Sequence, residues 1–242
     1  MKIEEINLNE NRNVTLTAYI QKVDGEFFRI HQRPAVLILP GGGYQICSDT
    51  EADPVAMPYL TAGYQAFILR YSVEKNQQWP NPLEDYEQAM ALIRERQVEW
   101  HVDSQKIAVI GFSAGGHLAG CAATMARHRP NAAVLGYSLL TEDVKKYSKD
   151  APNVVAAVDQ FTCPCFVFAT RNDNVVSIKN SLDFLEILAD KEIPFESHIY
   201  SFGPHGFSTG NSSIQVPKDI SPRASNWVAD SIDWLKEIFG DF

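Results

Sequence analysis

The sequence predicts an α/β fold in which a mostly parallel β-sheet is covered by helices on both faces. Two observations predict it: short, continuously apolar segments recur along the 242 residues, and longer segments with apolar residues at helical spacing separate them. Strands that are apolar at every position need cover on both faces, and the intervening helices supply the long connections that parallel strands require. The length suits one large domain, 1–242, and no repeat or linker-like segment divides the chain.

The elements of the amino-terminal half follow from alternation, apolar runs and stop signals. Val14–Ile20 alternates between polar and apolar residues, as a half-buried strand does, and Ala35–Leu39 is an uninterrupted apolar strand. A helix over Ala52–Ala62 ends before a glycine, and Gln65–Tyr71 forms the next buried strand. Apolar residues at helical spacing then predict a helix over Pro82–Trp100.

The carboxyl-terminal half continues the alternation of strand and helix. Its strands are short apolar or alternating runs, and its helices have apolar residues three or four positions apart. In chain order, the predicted elements are the strand Lys106–Ile110, the helix Ala114–Arg127, the strands Ala132–Leu139 and Cys165–Thr170, the helix Ser177–Asp190, the strand Phe195–Tyr200 and the helix Pro222–Phe239.

Composition disfavours two classes of partner, nucleic acids and anionic membrane surfaces, and it predicts a soluble, cytoplasmic protein. The formal net charge of -9 disfavours nucleic acid and anionic membrane surfaces, which both attract basic patches. The apolar runs are too short to span a bilayer, and the polar amino terminus lacks the pattern of a signal peptide. The four cysteines have neither disulfide-framework nor zinc-site spacing, so Cys163 and Cys165 are predicted to be buried, reduced thiols.

The segment Gly111–Gly116, with the sequence GFSAGG, carries the strongest chemical signal in the chain. It places a G-x-S-x-G pattern between a predicted strand and a predicted helix. In that setting the chain makes a sharp turn that exposes the hydroxyl of the central serine, here Ser113, and its glycines avoid steric collisions. The helix that begins at Ala114 also directs free N–H groups toward developing negative charge. The pattern therefore predicts a nucleophilic serine.

Three consecutive glycines follow the buried strand Ala35–Leu39, in the segment Pro40–Tyr44. Glycines at the carboxyl end of a strand let backbone N–H groups approach a ligand without interference from side chains. In a hydrolase these groups would complete an oxyanion hole together with the N–H of Ala114. The segment lacks the G-x-x-x-x-G-K-[ST] pattern of a phosphate loop, so no nucleotide site is predicted.

The base and the acid that a nucleophilic serine requires are sought in loops that follow strands. Among six histidines, His205 follows the last predicted strand in a glycine-flanked loop, which makes it the candidate base. Asp173 follows the strand Cys165–Thr170 and is the candidate acid, which would orient the imidazole and stabilise its charged form. Asp143 and Asp150 lie in a polar stretch that is typical of a solvated surface, and Asp159 precedes its strand.

The order Ser113, Asp173, His205, together with the GFSAGG and PGGGY segments, resembles the α/β-hydrolase superfamily. More narrowly, these motifs are similar to those of small bacterial acetyl esterases, which are grouped as acetylxylan-esterase-like or lipase/esterase-like enzymes. The resemblance runs from about residue 35 to the last helix. It implies the α/β-hydrolase fold and a serine esterase that acts on short acyl esters such as acetylated sugars.

The resemblance also implies a role for each matching residue. Ser113, Asp173 and His205 correspond to the catalytic triad of the superfamily. The oxyanion-hole positions correspond to Gly42, Gly43 and Ala114. The expected partner is a small-molecule ester, with no cofactor and no metal ion, and the sequence does not decide between a monomer and a homo-oligomer.

Two segments bear on access to the predicted site. Leu140–Phe161, where relatives often carry a cap, is short and polar, so little or no cap is predicted. The polar segment Gly210–Ser221 is predicted to be a surface loop rather than a flap over the site. For the aromatic side chains of Tyr44, Trp79 and Phe207, pocket lining and core packing stay equally open at this point.

Two other functions stay open alongside the esterase. A serine peptidase of the prolyl-oligopeptidase type would have the same residues in the same chain order, although the N-terminal propeller or cap domain of such peptidases is not expected within these 242 residues. A binding protein that retained the fold without catalysis is the second alternative. Labelling by a fluorophosphonate would separate the binding protein from both enzymes, and ester and peptide substrates would separate the two enzymes.

Overall fold

The computed structural model describes residues 1–240, which contain eight strands and five α-helices. The strands are β1 (Lys2–Asn9), β2 (Val14–Ile20), β3 (Arg33–Leu39), β4 (Gln65–Arg70), β5 (Val102–Phe112), β6 (Ala132–Gly136), β7 (Cys165–Thr170) and β8 (Phe195–Tyr200). The helices are α1 (Asp53–Thr61), α2 (Asn81–Glu95), α3 (Ser113–Met125), α4 (Lys179–Asp190) and α5 (Trp227–Phe239). No helix in this part of the chain is both long and apolar enough to cross a membrane.

All eight strands form one sheet in the order β1-β2-β4-β3-β5-β6-β7-β8. The pairs that involve β1 and β2 are antiparallel, and every pair from β4 to β8 is parallel. The predicted mostly parallel sheet is therefore confirmed. Because β3 and β5 to β8 run in the same direction, the loops that follow them meet at one edge of the sheet.

Alternation along the strands divides the hydrophobic core into two parts, one on each face of the sheet. In β3, Ala35, Leu37 and Leu39 face the core that contains α2, α3 and α4, whereas Val36 and Ile38 face the core that contains α1 and α5. Successive side chains of a strand point to opposite faces, so a strand buried on both sides has to be apolar throughout. The prediction of helices on both faces is confirmed.

Strand β1 was not predicted from the sequence. It lies at the edge of the sheet, pairs with β2 alone among the strands of residues 1–240, and leaves most of its charged side chains exposed. Its apolar residues Ile6 and Leu8 are partly buried against the core. An edge strand of this kind has a weak apolar pattern, because its pairing with β2 stabilises it more than its own side chains do.

Four predicted elements have a boundary that is wrong by three or more residues. Strand β5 begins at Val102 rather than Lys106, and it ends at Phe112 rather than Ile110. Helix α2 ends at Glu95 rather than Trp100, because the backbone turns so that the buried Trp100 can pack and β5 can begin. Strand β6 ends at Gly136, since Tyr137 has a φ of 36° and leads the chain out of the sheet. Helix α5 begins at Trp227, after a short 3-10 turn over Ala224–Asn226.

The thiols of Cys163 and Cys165 are free and buried, as predicted. Cys165 begins β7, and its Sγ lies 3.2 Å from the carbonyl oxygen of Cys163. Burial among apolar side chains suits a reduced cysteine, which packs like a small hydrophobic residue.

Candidate active site

Ser113 lies at the sharp turn between β5 and α3. Its φ is 52°, in the left-handed region, although it is not a glycine. Left-handed backbone costs a non-glycine residue about 1 kcal/mol or more, so the surrounding packing has to enforce it. The conformation lets the chain change from strand to helix at a single residue, and it directs the hydroxyl into a cavity at the edge of the sheet.

Close packing against β3 enforces this turn. A side chain on Gly115 would collide with the carbonyl oxygens of Leu39 and Pro40, and a side chain on Gly111 would collide with the carbonyl oxygen of Gly115. These contacts are with backbone atoms, which move only if the sheet itself distorts. The glycines in the G-x-S-x-G pattern therefore let α3, which begins at Ser113, lie directly against β3.

Replacement of Gly115 by alanine is expected to lower the free energy of unfolding by about 3 kcal/mol, because the added methyl group overlaps the backbone of β3. Urea unfolding followed by circular dichroism measures the change. Gly25→Ala is the matched control: no atom lies within 4 Å of its added methyl group, and the positive φ of 59° alone should cost about 1 kcal/mol. Equal losses in the two variants would contradict the proposed steric role of Gly115.

His205 lies in the loop of residues 201–208 that follows β8, here called the histidine loop. Its Nε2 atom is 2.8 Å from Oγ of Ser113, and its ring contacts the ring of Tyr137 edge-on at a centroid distance of 5.0 Å. The side chain is 15% exposed. The imidazole is thus in hydrogen-bond contact with the serine hydroxyl and supported from one side by an aromatic ring.

Asp173 holds the other nitrogen of the imidazole. Its Oδ2 atom is 2.7 Å from Nδ1 of His205, and its Oδ1 atom accepts hydrogen bonds from the backbone N–H groups of Val175 and Val176 at 2.8 and 2.9 Å. The side chain is only 2% exposed. An acceptor at Nδ1 keeps the proton there, so the lone pair of Nε2 faces the serine hydroxyl.

The other candidate acids have different partners. Asp143 pairs with Lys146 and accepts a hydrogen bond from Asn180, and Asp159 pairs with Arg129. Neither forms a hydrogen bond or ion pair with a histidine among residues 1–240. The structure therefore brings together the serine, histidine and aspartate that the sequence selected, from the ends of β5, β8 and β7.

The segment Pro40–Tyr44, here called the glycine loop, lies beside the serine. Gly42 and Gly43 have φ values of 133° and 61°, and both line the same cavity as Ser113 and His205. Within the described residues, no loop hydrogen bond occupies the N–H groups of these two glycines. Ala114 is the second residue of α3, so its N–H belongs to the first helical turn, which has no partner inside the helix.

The cavity around Ser113 has a volume of about 310 Å³. Its walls include Ile46 after the glycine loop, Tyr147 from the segment after β6, and Val175 after Asp173. A larger cavity of about 420 Å³ lies beside α2 and the end of α3, but it contains no candidate nucleophile. The candidate nucleophile and base therefore line the smaller cavity.

The aromatic residues considered as pocket lining instead pack in the interior. Tyr44 and Phe207 are fully buried, and Trp79 packs edge-on against His117. The short segment between β6 and β7 does contribute to the pocket, through Tyr147, although it forms only two brief 3-10 turns.

Glu51 is a cavity residue that the sequence analysis missed. Its side chain is 4% exposed, and burial raises the pKa of its carboxyl group, while hydrogen bonds from Tyr137 and Gly41 act in the opposite direction. The residue precedes α1, in an acidic stretch that appeared to be no more than a helix start. No motif in the sequence distinguishes it from the neighbouring acids.

Comparison with known proteins gives a consistent family assignment. The BD-FAE family model matches residues 29–163. The chain is 29% identical over 217 residues to endo-1,4-beta-xylanase B of Butyrivibrio fibrisolvens, covering 76% of this chain and 34% of that protein. It is 26% identical over 200 residues to the acetylxylan esterase of Xylanibacter ruminicola, covering 73% of this chain and 41% of that protein. The chain thus spans well under half the length of either relative.

A solved structure matches the chain along nearly its full length. MGS-M1, an alpha/beta hydrolase enzyme from a Medee basin deep-sea metagenome library, is 43% identical and superposes with a TM-score of 0.92, over 98% of both chains. The predicted α/β-hydrolase fold is therefore confirmed.

Proposed function

The chain belongs to the BD-FAE family, and from the geometry of its site we propose that it is a serine carboxylesterase in which Ser113 is the nucleophile, His205 the base and Asp173 the acid that orients the base. One observation carries the proposal. An unbroken series of hydrogen bonds runs from Asp173 through His205 to the hydroxyl of Ser113. Beside it lie the backbone N–H groups of Gly42 and Gly43, which have no hydrogen-bond partner within residues 1–240. A side-chain nucleophile, an oriented base and an anion site together are what acyl transfer requires.

The reaction proceeds in two steps. His205 accepts the proton of the Ser113 hydroxyl as the oxygen attacks the ester carbonyl, and it then passes that proton to the departing alcohol. The product of the first step is an acyl-enzyme on Ser113. A water molecule, activated by the same imidazole, attacks the acyl-enzyme and releases the carboxylic acid.

The negative charge that develops on the carbonyl oxygen needs donors that are already in place. The N–H groups of Gly42, Gly43 and Ala114 are the proposed donors. Removal of a single donor from such a site costs on the order of 3 kcal/mol of transition-state stabilisation. The positive end of α3 adds to the same field, since Ser113 begins that helix.

The proposed substrates are short acyl esters of sugars, with acetyl as the acyl group. The small cavity and its lining by Tyr147 and Ile46 leave limited room beside the serine for a long acyl chain. Only two brief 3-10 turns lie between β6 and β7, so a bulky alcohol can approach from solvent. The relative named as an acetylxylan esterase supports the same substrate class.

Hydrolysis of p-nitrophenyl esters from acetate to octanoate tests the proposal. We expect kcat/KM to fall by about tenfold or more between butyrate and octanoate, because even one methylene that the pocket cannot accommodate costs about 1–3 kcal/mol. Release of acetate from acetylated xylo-oligosaccharides then tests whether the protein hydrolyses esters of sugars. A folded wild-type protein that cleaved peptide p-nitroanilides but none of these esters would contradict the proposal.

A further inference from the structure

Glu51 contacts the glycine loop directly. Its Oε2 atom accepts a hydrogen bond of 2.7 Å from the N–H of Gly41, the residue that precedes Gly42. The space around Gly41 is tight, since an added Cβ would lie 2.8 Å from the carbonyl oxygen of Phe112 and 3.0 Å from Cβ of Ser113. The glycine loop is therefore fixed between the carboxylate of Glu51 and the backbone that carries the nucleophile.

The second oxygen of Glu51 is connected to the histidine loop. Oε1 accepts a hydrogen bond of 2.6 Å from the hydroxyl of Tyr137, and that hydroxyl accepts one of 3.0 Å from the N–H of Ser208. The hydroxyl of Ser208 in turn donates to the carbonyl oxygen of Thr50, next to Glu51. The histidine loop is thereby tied to the segment that carries Glu51 by two separate hydrogen-bonded routes.

These contacts explain why a carboxylate occupies this buried position. The N–H of Gly41 can only donate, and the Tyr137 hydroxyl already accepts from Ser208, so its own proton needs an acceptor. A carboxylate has acceptors on both oxygens, whereas a glutamine amide has an acceptor on one side and a donor on the other. Glutamine at position 51 would therefore lose one of the two hydrogen bonds, at the cost of an unsatisfied buried group.

We infer that Glu51 is a positioning residue whose carboxylate fixes the glycine loop through Gly41 and the histidine loop through Tyr137. It thereby holds the two glycine donors and the base, which come from opposite sides of β5, in register with the nucleophile. The inference rests on the proposed esterase function. It assigns Glu51 no contact with the substrate or with the reacting atoms.

The test compares Glu51→Gln with Glu87→Gln on p-nitrophenyl acetate. Glu87 is also buried, and its carboxylate also accepts two hydrogen bonds, here from the backbone N–H groups of Arg127 and His128. These groups lie at the opposite end of α3, about 18 Å from the nucleophile by helix geometry. For Glu51→Gln we expect kcat to fall about tenfold to hundredfold while KM changes less than about threefold, since a displaced oxyanion donor mainly affects the transition state. Glu87→Gln should retain the wild-type kcat.

A second variant keeps the inference testable if Glu51→Gln does not fold. Tyr137→Phe removes only the hydroxyl, and it should reproduce the loss of kcat, whereas Tyr59→Phe removes the hydroxyl of another buried tyrosine, bonded to Ser231, and should not. The double variant of Glu51→Gln with Tyr137→Phe should lose less than the product of the two single losses, because both changes break one network.

The rate of labelling of Ser113 by a fluorophosphonate separates the inference from the proposed function. That reaction needs the nucleophile, base and anion site but no ester substrate. If the wild type labels rapidly but cleaves no ester, the esterase proposal fails, and slower labelling of Glu51→Gln alone still supports the positioning role. Wild-type labelling and kcat in folded Glu51→Gln, or an equal loss in Glu87→Gln, would overturn the inference.

Discussion

Replacement of Ser113 by alanine is expected to lower kcat for p-nitrophenyl acetate by a factor on the order of 10⁵ to 10⁶. The alanine variant has no nucleophile within reach of His205, whose Nε2 is 2.8 Å from the serine oxygen in the wild type. The residual rate then comes only from substrate binding and the oxyanion donors. Initial rates at saturating ester, corrected for the uncatalysed reaction, measure the loss.

Ser201→Ala is the matched control for this experiment. Ser201 lies in the same region of loops, at the start of the histidine loop, and its side chain is exposed. This variant should keep the wild-type rate, and a fluorophosphonate should add one label to it and none to Ser113→Ala. A Ser113→Ala protein that retained esterase activity or was labelled would show that another residue is the nucleophile.

Replacement of Asp173 by asparagine is expected to lower kcat by about 10⁴-fold. The amide oxygen can still accept from the N–H groups of Val175 and Val176, which leaves the amide NH₂ facing Nδ1 of His205. Nδ1 then has to accept a hydrogen bond, so the ring proton moves to Nε2. An imidazole with a proton on Nε2 cannot accept the proton of the serine, although its position is unchanged.

Two other aspartates serve as controls for the change to asparagine. Asp143 and Asp159 are each paired with a basic side chain, Lys146 and Arg129 respectively, away from the imidazole. Asp143→Asn and Asp159→Asn should therefore keep kcat within about twofold of the wild type, since such surface substitutions are normally small in effect. A comparable loss in either control, or little loss in Asp173→Asn, would remove Asp173 from the proposed triad.

The Ser113→Ala and Asp173→Asn variants should differ in the pH dependence of kcat as well as in how far kcat falls. Ser113→Ala removes the covalent step, so no acyl-enzyme forms. Asp173→Asn leaves the nucleophile in place and changes only the tautomer of its base, so its activity should partly recover at high pH, where hydroxide can deprotonate the serine directly. The pH profile of kcat therefore distinguishes loss of the nucleophile from loss of a base that can accept its proton.

The sequence alone determined the parts of the protein that follow a local pattern, such as an apolar run or a turn motif. The uninterrupted apolar runs of β3 and β7 predict strands buried on both faces, and the observed strands agree with them. The G-x-S-x-G turn and the loops after β7 and β8 selected Ser113, Asp173 and His205, because ligand sites in such sheets lie beyond the carboxyl ends of the strands. The apolar pattern of β1 was too weak to predict a strand, because this segment forms a strand through its pairing with β2.

Only the tertiary structure decided which residues support and enclose those three. Glu51 lies 86 positions from Tyr137 in the chain, and Tyr147 reaches the cavity from a segment with no distinctive pattern. Neither has a motif, because their importance comes from contacts between loops that the sheet order β3-β5-β6-β7-β8 brings to one edge. Periodicity reports which face of a strand or helix is buried. It contains no information on which distant loop supplies a hydrogen-bond partner, and that is fixed only when the strands pair.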